Sequence, residues 1–124
     1  MTSSDTSALI VAIDLRKNRI RVHKETLHRL NDPNYIQFMF NPEQRVLLVR
    51  CCNEKEDQSM RISDYRLFQS TNSVEFYSLP LLERMCSVEP NIEKGKVYRL
   101  TGQLKAFQKL AVFPLSTMKE IERD

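Results

Sequence analysis

Tyr35-Ile36-Gln37-Phe38-Met39-Phe40-Asn41-Pro42-Glu43-Gln44-Arg45-Val46-Leu47-Leu48-Val49-Arg50 is the most informative stretch of the chain. Two runs rich in branched and aromatic residues flank Asn41-Pro42-Glu43-Gln44, which has the chemistry of a tight turn. The pattern predicts a β-hairpin. Upstream, Asn31-Asp32-Pro33-Asn34 ends a short helix over Lys24–Leu30, because proline denies its predecessor the helical conformation. Leu27 and Leu30, three apart, mark that helix's buried side. Before it, Arg19-Ile20-Arg21-Val22-His23 alternates with the period of a strand. Ile20 and Val22 are expected inside, with Arg19, Arg21 and His23 on the outer face. Ala8–Ile13 reads as a buried strand ended by Asp14, and Leu15-Arg16-Lys17-Asn18 as a charged bend.

Downstream the order recurs. Met60-Arg61-Ile62 with Tyr65-Arg66-Leu67-Phe68 is strand-like, Gln69–Asn72 is a polar bend, and Val74-Glu75-Phe76-Tyr77 is a short strand. Ser78 is expected to cap a helix with Pro80 in its first turn and Leu82 and Met85 on its apolar side. Val97–Gly102 and Lys109–Phe113 form a second hairpin-like pair, and Ser116 is expected to cap a terminal helix through Ile121. Both halves thus read strand, bend, strand, short helix, hairpin. One such unit has too little apolar face to bury alone, and two could interlock into one barrel-like core. The plainer alternative is one α+β domain whose halves look alike because short strands and turns are common. The expected class is α+β, mostly β. The expected organisation is one domain over 1–124: a disordered tail 1–7, a first half 8–52, an acidic connector 53–59 and a second half 60–124.

With 124 residues the chain fits one such domain, burying about two-thirds of the surface its unfolded form exposes. Two glycines and no tryptophan argue against a Gly-loop nucleotide site. Three cysteines, of which Cys51 and Cys52 are neighbours, cannot make a disulfide framework and read as reduced thiols. The polar amino terminus and the short apolar run after it have neither the form of a signal peptide nor the length of a membrane span. A cytoplasmic protein without membrane contact is expected.

No residue set predicts catalysis: His23 and His28 lack an evident nucleophile partner. No metal or cofactor is expected, because Cys51 and Cys52 on a strand face opposite sides and Cys86 stands alone on a helix. The aromatic residues Tyr35, Phe38, Phe40, Phe76, Tyr77 and Phe113 are expected in the core. The net charge of +3 decides nothing, but its distribution does. Arg16, Lys17, Arg19, Arg21, Lys24 and Arg29 face only Glu25 within residues 16–29. Cations on one outer strand face and its bend can neutralise neighbouring phosphates, although they can also serve as a solvated face that protects an edge.

Residues Ile13 to Arg50 resemble the DNA-binding unit of the AbrB and MazE swapped-hairpin family. Arg19-Ile20-Arg21-Val22 stands in place of the family's Gly-Arg-hydrophobic-hydrophobic-Ile-Pro, with Asn18 for the glycine and His23 for the proline. Lys24–Leu30 falls on its short helix, and Tyr35–Arg50 on its hairpin with the acidic turn residue Glu43. The resemblance implies a swapped-hairpin barrel, here a single-chain pseudo-dimer, with Arg16, Lys17, Arg19 and Lys24 as DNA contacts. The second half has Gln69-Ser70-Thr71-Asn72-Ser73 where the first has its basic bend, so either DNA binding is one-sided or the barrel has been turned to another use. The expected function is a small DNA-binding regulator, with Arg21 and Arg29 completing the patch. The rival is a protein-binding module, such as an antitoxin or an inhibitor carried by a mobile element or phage against a host nuclease. A pseudo-dimer implies a monomer in solution, and an ordinary swapped-hairpin chain a homodimer.

Overall fold

The computed structural model describes residues 9–52, 54–55, 59–62, 73–105 and 109–122. The expected tail 1–7, the strand segment Tyr65–Phe68, the polar bend Gln69–Asn72 and much of the connector lie outside them.

The elements in chain order are β1 (Leu9–Asp14), β2 (Arg19–His23), α1 (Lys24–Arg29), β3 (Tyr35–Asn41), β4 (Val46–Cys52), β5 (Met60–Arg61), β6 (Ser73–Tyr77), α2 (Leu79–Val88), β7 (Val97–Lys105), β8 (Leu110–Pro114), a 3-10 turn (Leu115–Thr117) and β9 (Lys119–Ile121). Among the described residues strand accounts for 51% and helix for 20%, which makes the fold mostly β. The strands form one antiparallel sheet in the order β5-β3-β4-β8-β7-β1-β2-β6, with β9 on the free edge of β7. The sheet curls into a nearly closed barrel. Its two ends approach each other where the rings of Phe38 on β3 and Phe76 on β6 meet edge to face, centroids 5.3 Å apart.

Alternation fills the interior. Leu9, Val11 and Ile13 of β1, Ile20 and Val22 of β2, Leu47 and Val49 of β4, and Ala111 and Phe113 of β8 are all buried. Leu27 and Leu30 attach α1 to this core, and Leu81, Leu82 and Met85 attach α2. Arg84 of α2 donates from Nη2 to the Phe40 carbonyl at 3.2 Å, which ties the helix to β3.

The hairpins β3–β4 and β7–β8 agree in the length of their connection and in the residue that ends it. Asn41 opposes Val46 in the first and Lys105 opposes Leu110 in the second, so each connection has four residues. The last of the four, Arg45 or Lys109, has a left-handed backbone with φ of 55° or 51°. The two hairpins meet along β4 and β8. There the Cys51 N–H donates to the Lys109 carbonyl and the Leu115 N–H to the Arg45 carbonyl, each at 2.9 Å. Every hairpin thus locks onto the turn of the other.

Strand β7 is the corner of the barrel. One edge pairs with β1 through Leu9–Gly102, while the other meets β9 at Val97–Arg99 and β8 at Gln103–Lys105. Between the last two, the Thr101 N–H donates to Oγ1 of Thr117 at 3.0 Å, filling the gap in the ladder. Gly102 permits the turn of the sheet. A Cβ there would stand 2.2 Å from the Val112 carbonyl oxygen and 2.6 Å from a ring carbon of Phe113.

Three expectations are corrected. No terminal helix forms from Ser116: a single 3-10 turn gives way to β9, because the open edge of β7 offers a ladder. Ser78 stands at the N-cap of α2 but makes no side-chain capping bond. Of the aromatics expected in the core, Tyr77 is 62% exposed, and Tyr35 and Phe38 are half-buried.

Candidate nucleic-acid interface

The basic bend is organised by one acid. Asp14 ends β1 fully buried, and its carboxylate accepts from the backbone N–H groups of Arg16 (2.9 Å) and Lys17 (3.3 Å). It also accepts from Nε and Nη2 of Arg16, both at 3.1 Å, and from Nε of Arg19 at 3.0 Å. This is an Asx-type turn with two guanidinium groups added. Burial pushes the Asp14 pKa up, but the hydrogen bonds from Arg16 and Arg19 outweigh it and bring it from 3.8 down to about 2. The bend closes through Asn18 at φ 54°, a left-handed position that asparagine tolerates well. The result is a rigid tip on which Arg16, Lys17 and Asn18 are exposed.

The next two arginines do not follow the expected outward direction. Arg19 is 7% exposed, and its Nη1 lies 2.6 Å from Oε2 of Glu75 on β6. Its guanidinium therefore bridges two carboxylates, those of Asp14 and Glu75. Burial disfavours the cation, but its hydrogen bonds to Asp14 and Tyr77 and the charge of Glu75 prevail and raise its pKa. Arg21 is half-buried; its Nε and Nη2 donate to Oγ of Ser73 at 3.1 and 2.9 Å, and Nε lies 3.9 Å from Glu75. Ladder register is the reason: Arg21 sits directly opposite Glu75 in the middle of the β2–β6 pairing. The Tyr77 hydroxyl donates to the other oxygen of Glu75 at 3.1 Å.

Lys24 opens α1 half-buried, directly after β2. Arg29, also half-buried, lies in the last turn of that helix and lines a shallow pocket with Leu30, Asn31, Pro33, Cys51, Leu104 and Lys109. The structure thus gathers Arg16, Lys17, Arg19 and Arg21 around the bend, and sets Arg29 beside the second hairpin instead. Sequence reading missed Glu75, Ser73 and Tyr77, and took Asp14 only as the end of a strand. Its one usable signal was an acid directly before a basic bend.

Among the described residues no group of three or more His, Cys, Asp or Glu side chains is placed to hold a metal ion. Among them, too, no helix is long and apolar enough to cross a membrane. No protein-family model, curated protein or solved structure matches the chain.

Proposed function

We propose that this chain is a non-catalytic DNA-binding regulator that grips duplex DNA from one side through Arg16 and Lys17 at the bend, with Lys24 at the far end of β2 and Arg29 in the last turn of α1 as separate phosphate contacts. The observation that carries the reading is the clamped tip. Asp14 holds the backbone of the bend from inside the barrel, so the cations at its apex lose little freedom on meeting a phosphate. Arg19 stands behind that tip, held in the resting chain between Asp14 and Glu75.

The same proposal takes the chain as a single-chain pseudo-dimer of the swapped-hairpin kind. If β1–β4 are exchanged with β5–β8, the ladder β3–β4 maps onto β7–β8, β3–β5 onto β7–β1, and β4–β8 and β2–β6 each onto itself, while β1–β2 has no β5–β6 counterpart among the described residues. The left-handed residue that ends each connection and the reciprocal bonds between the hairpins support it further, and a monomer in solution is expected.

Titration of a labelled duplex at several salt concentrations tests the function. With about four phosphates neutralised, log affinity should fall against log salt with a slope of about −3 to −4. Replacing Arg16 and Lys17 together with alanine should flatten that slope by about 2, at a stability cost of about 1–3 kcal/mol because the buried Asp14 loses its two side-chain bonds from Arg16. A slope near zero for the unaltered protein ends this reading.

One feature favours a second reading, a protein-binding module. Met39, Val46, Leu48, Leu110, Val112 and Pro114 form a half-exposed apolar row across the outer face of β3, β4 and β8, with Leu48 opposite Val112 at its centre. Replacing Leu48 and Val112 with threonine would leave DNA binding unchanged and abolish association with such a partner.

A further inference from the structure

We propose that Arg19, Arg21 and Tyr77 form a cradle for a phosphate group, and that Glu75 occupies it in the resting chain as an internal competitor. The inference deepens the DNA-binding reading and rests on it for the identity of the ligand as a backbone phosphodiester.

Three donors from two strands converge on one carboxylate. Arg19 reaches Oε2 at 2.6 Å, the Tyr77 hydroxyl reaches Oε1 at 3.1 Å, and Arg21 stands 3.9 Å away on the same side. Arginines with a hydroxyl donor are the groups that recognise the oxygens of a phosphate. The two acids that touch Arg19 differ in kind. Asp14 is wholly buried and tied to the backbone of the bend, whereas the Glu75 side chain is 38% exposed. Asp14 therefore fixes the guanidinium from behind, and Glu75 can swing into solvent without unmaking that anchor. Arg19 loses its hydrogen-bond acceptor on the outer side when Glu75 leaves, and an arriving phosphate oxygen replaces it. No bond other than hydrogen bonds and ion pairs changes.

The position of Glu75 in the ladder strengthens the case. It is the residue directly opposite Arg21 at the centre of the β2–β6 pairing. Two like strands paired about that centre would set arginine against arginine, a repulsive arrangement that leaves both cations available to a ligand. Here the second strand supplies the opposite charge and neutralises the site. Because the carboxylate is tethered, its effective concentration is high, and an external phosphate must outcompete it. Glu75 thus sets the affinity of the patch without touching the ligand.

The test compares the unaltered full chain with Glu75→Gln and Glu75→Ala by two readouts. One is anisotropy of a labelled duplex at about 50 and 200 mM salt. The other is the rise in Tm caused by inorganic phosphate over chloride at equal ionic strength. Glu75→Ala is expected to bind the duplex about 10-fold tighter at the lower salt, with a slope steeper by about 1. Glu75→Gln should gain less, since its amide oxygen still accepts from Arg19. Both variants should gain a phosphate-dependent Tm rise that the unaltered chain lacks, and adding Arg21→Gln should remove it. Folded variants that respond to DNA and phosphate as the unaltered chain does would overturn the proposal. So would loss of the fold in both, which would make Glu75 a structural partner only. If neither the unaltered chain nor any variant binds duplex, the DNA reading falls, and the phosphate readout alone then upholds or overturns the cradle.

Discussion

The hairpins β3–β4 and β7–β8 have almost no residues in common, yet they repeat each other in connection length, in the left-handed residue that ends each turn, and in the bond each receives from the other. Strands β2 and β6 pair just as regularly, but across their ladder charge is opposed: Arg19 and Arg21 on one side, Glu75 on the other. The contrast separates two kinds of constraint. Hairpin geometry is set by backbone hydrogen bonds and turn dihedrals, which many sequences satisfy. A cross-strand contact between side chains is set by chemistry, so the same ladder can be repulsive, neutral or attractive with no change of fold.

The charged side of that comparison breaks most readily at Asp14. Replacing it with alanine leaves the Arg19 guanidinium without its inner partner and removes the acceptor for the backbone of the bend. A loss of about 3–5 kcal/mol is expected, read from urea unfolding. Acid should reproduce the effect gradually. The Asp14 pKa is lowered from 3.8 to about 2 on folding, so its stabilisation is full above the unfolded value and is lost as pH falls through that window. Unfolding midpoints measured from pH 5 to pH 2 should fall, and Asp14→Asn should lack that part of the fall.

The hairpin side breaks at Gly102. Phe38 and Gly102 are equivalent positions in the paired hairpins, each three residues before the strand end at Asn41 or Lys105. The second cannot accept even a methyl group beside Val112 and Phe113. Gly102→Ala should cost about 3 kcal/mol through overpacking, seen as a lowered Tm. The smallest effects should be the most equal. Arg45→Gly and Lys109→Gly each relieve a left-handed non-glycine residue and should each stabilise by about 0.5 kcal/mol. A clear difference between the two would sharpen the comparison by exposing unequal turns.

What was legible beforehand was local. The hairpin around Asn41–Gln44, the helix at Lys24–Arg29 and the inward pair Ile20 and Val22 all follow from period and turn chemistry within a few residues. The terminal segment misled because Ser116 does have a helix-capping residue's chemistry, while β7 lay far back in the chain with an edge to be filled. Arg19 misled in the same way: alternation places it outside, but the pairing of β2 with β6 brings Glu75 against it.

The order of residues by itself determined most of the strands and bends and the inward apolar side chains, because each depends on neighbours along the chain; β9, made by the open edge of β7, was not among them. The folded barrel alone decided which cations remain at the surface. Charge is neutralised by whatever lies within a few ångströms, and for Arg19 and Arg21 those neighbours, Glu75 and Ser73, arrive from more than fifty positions away.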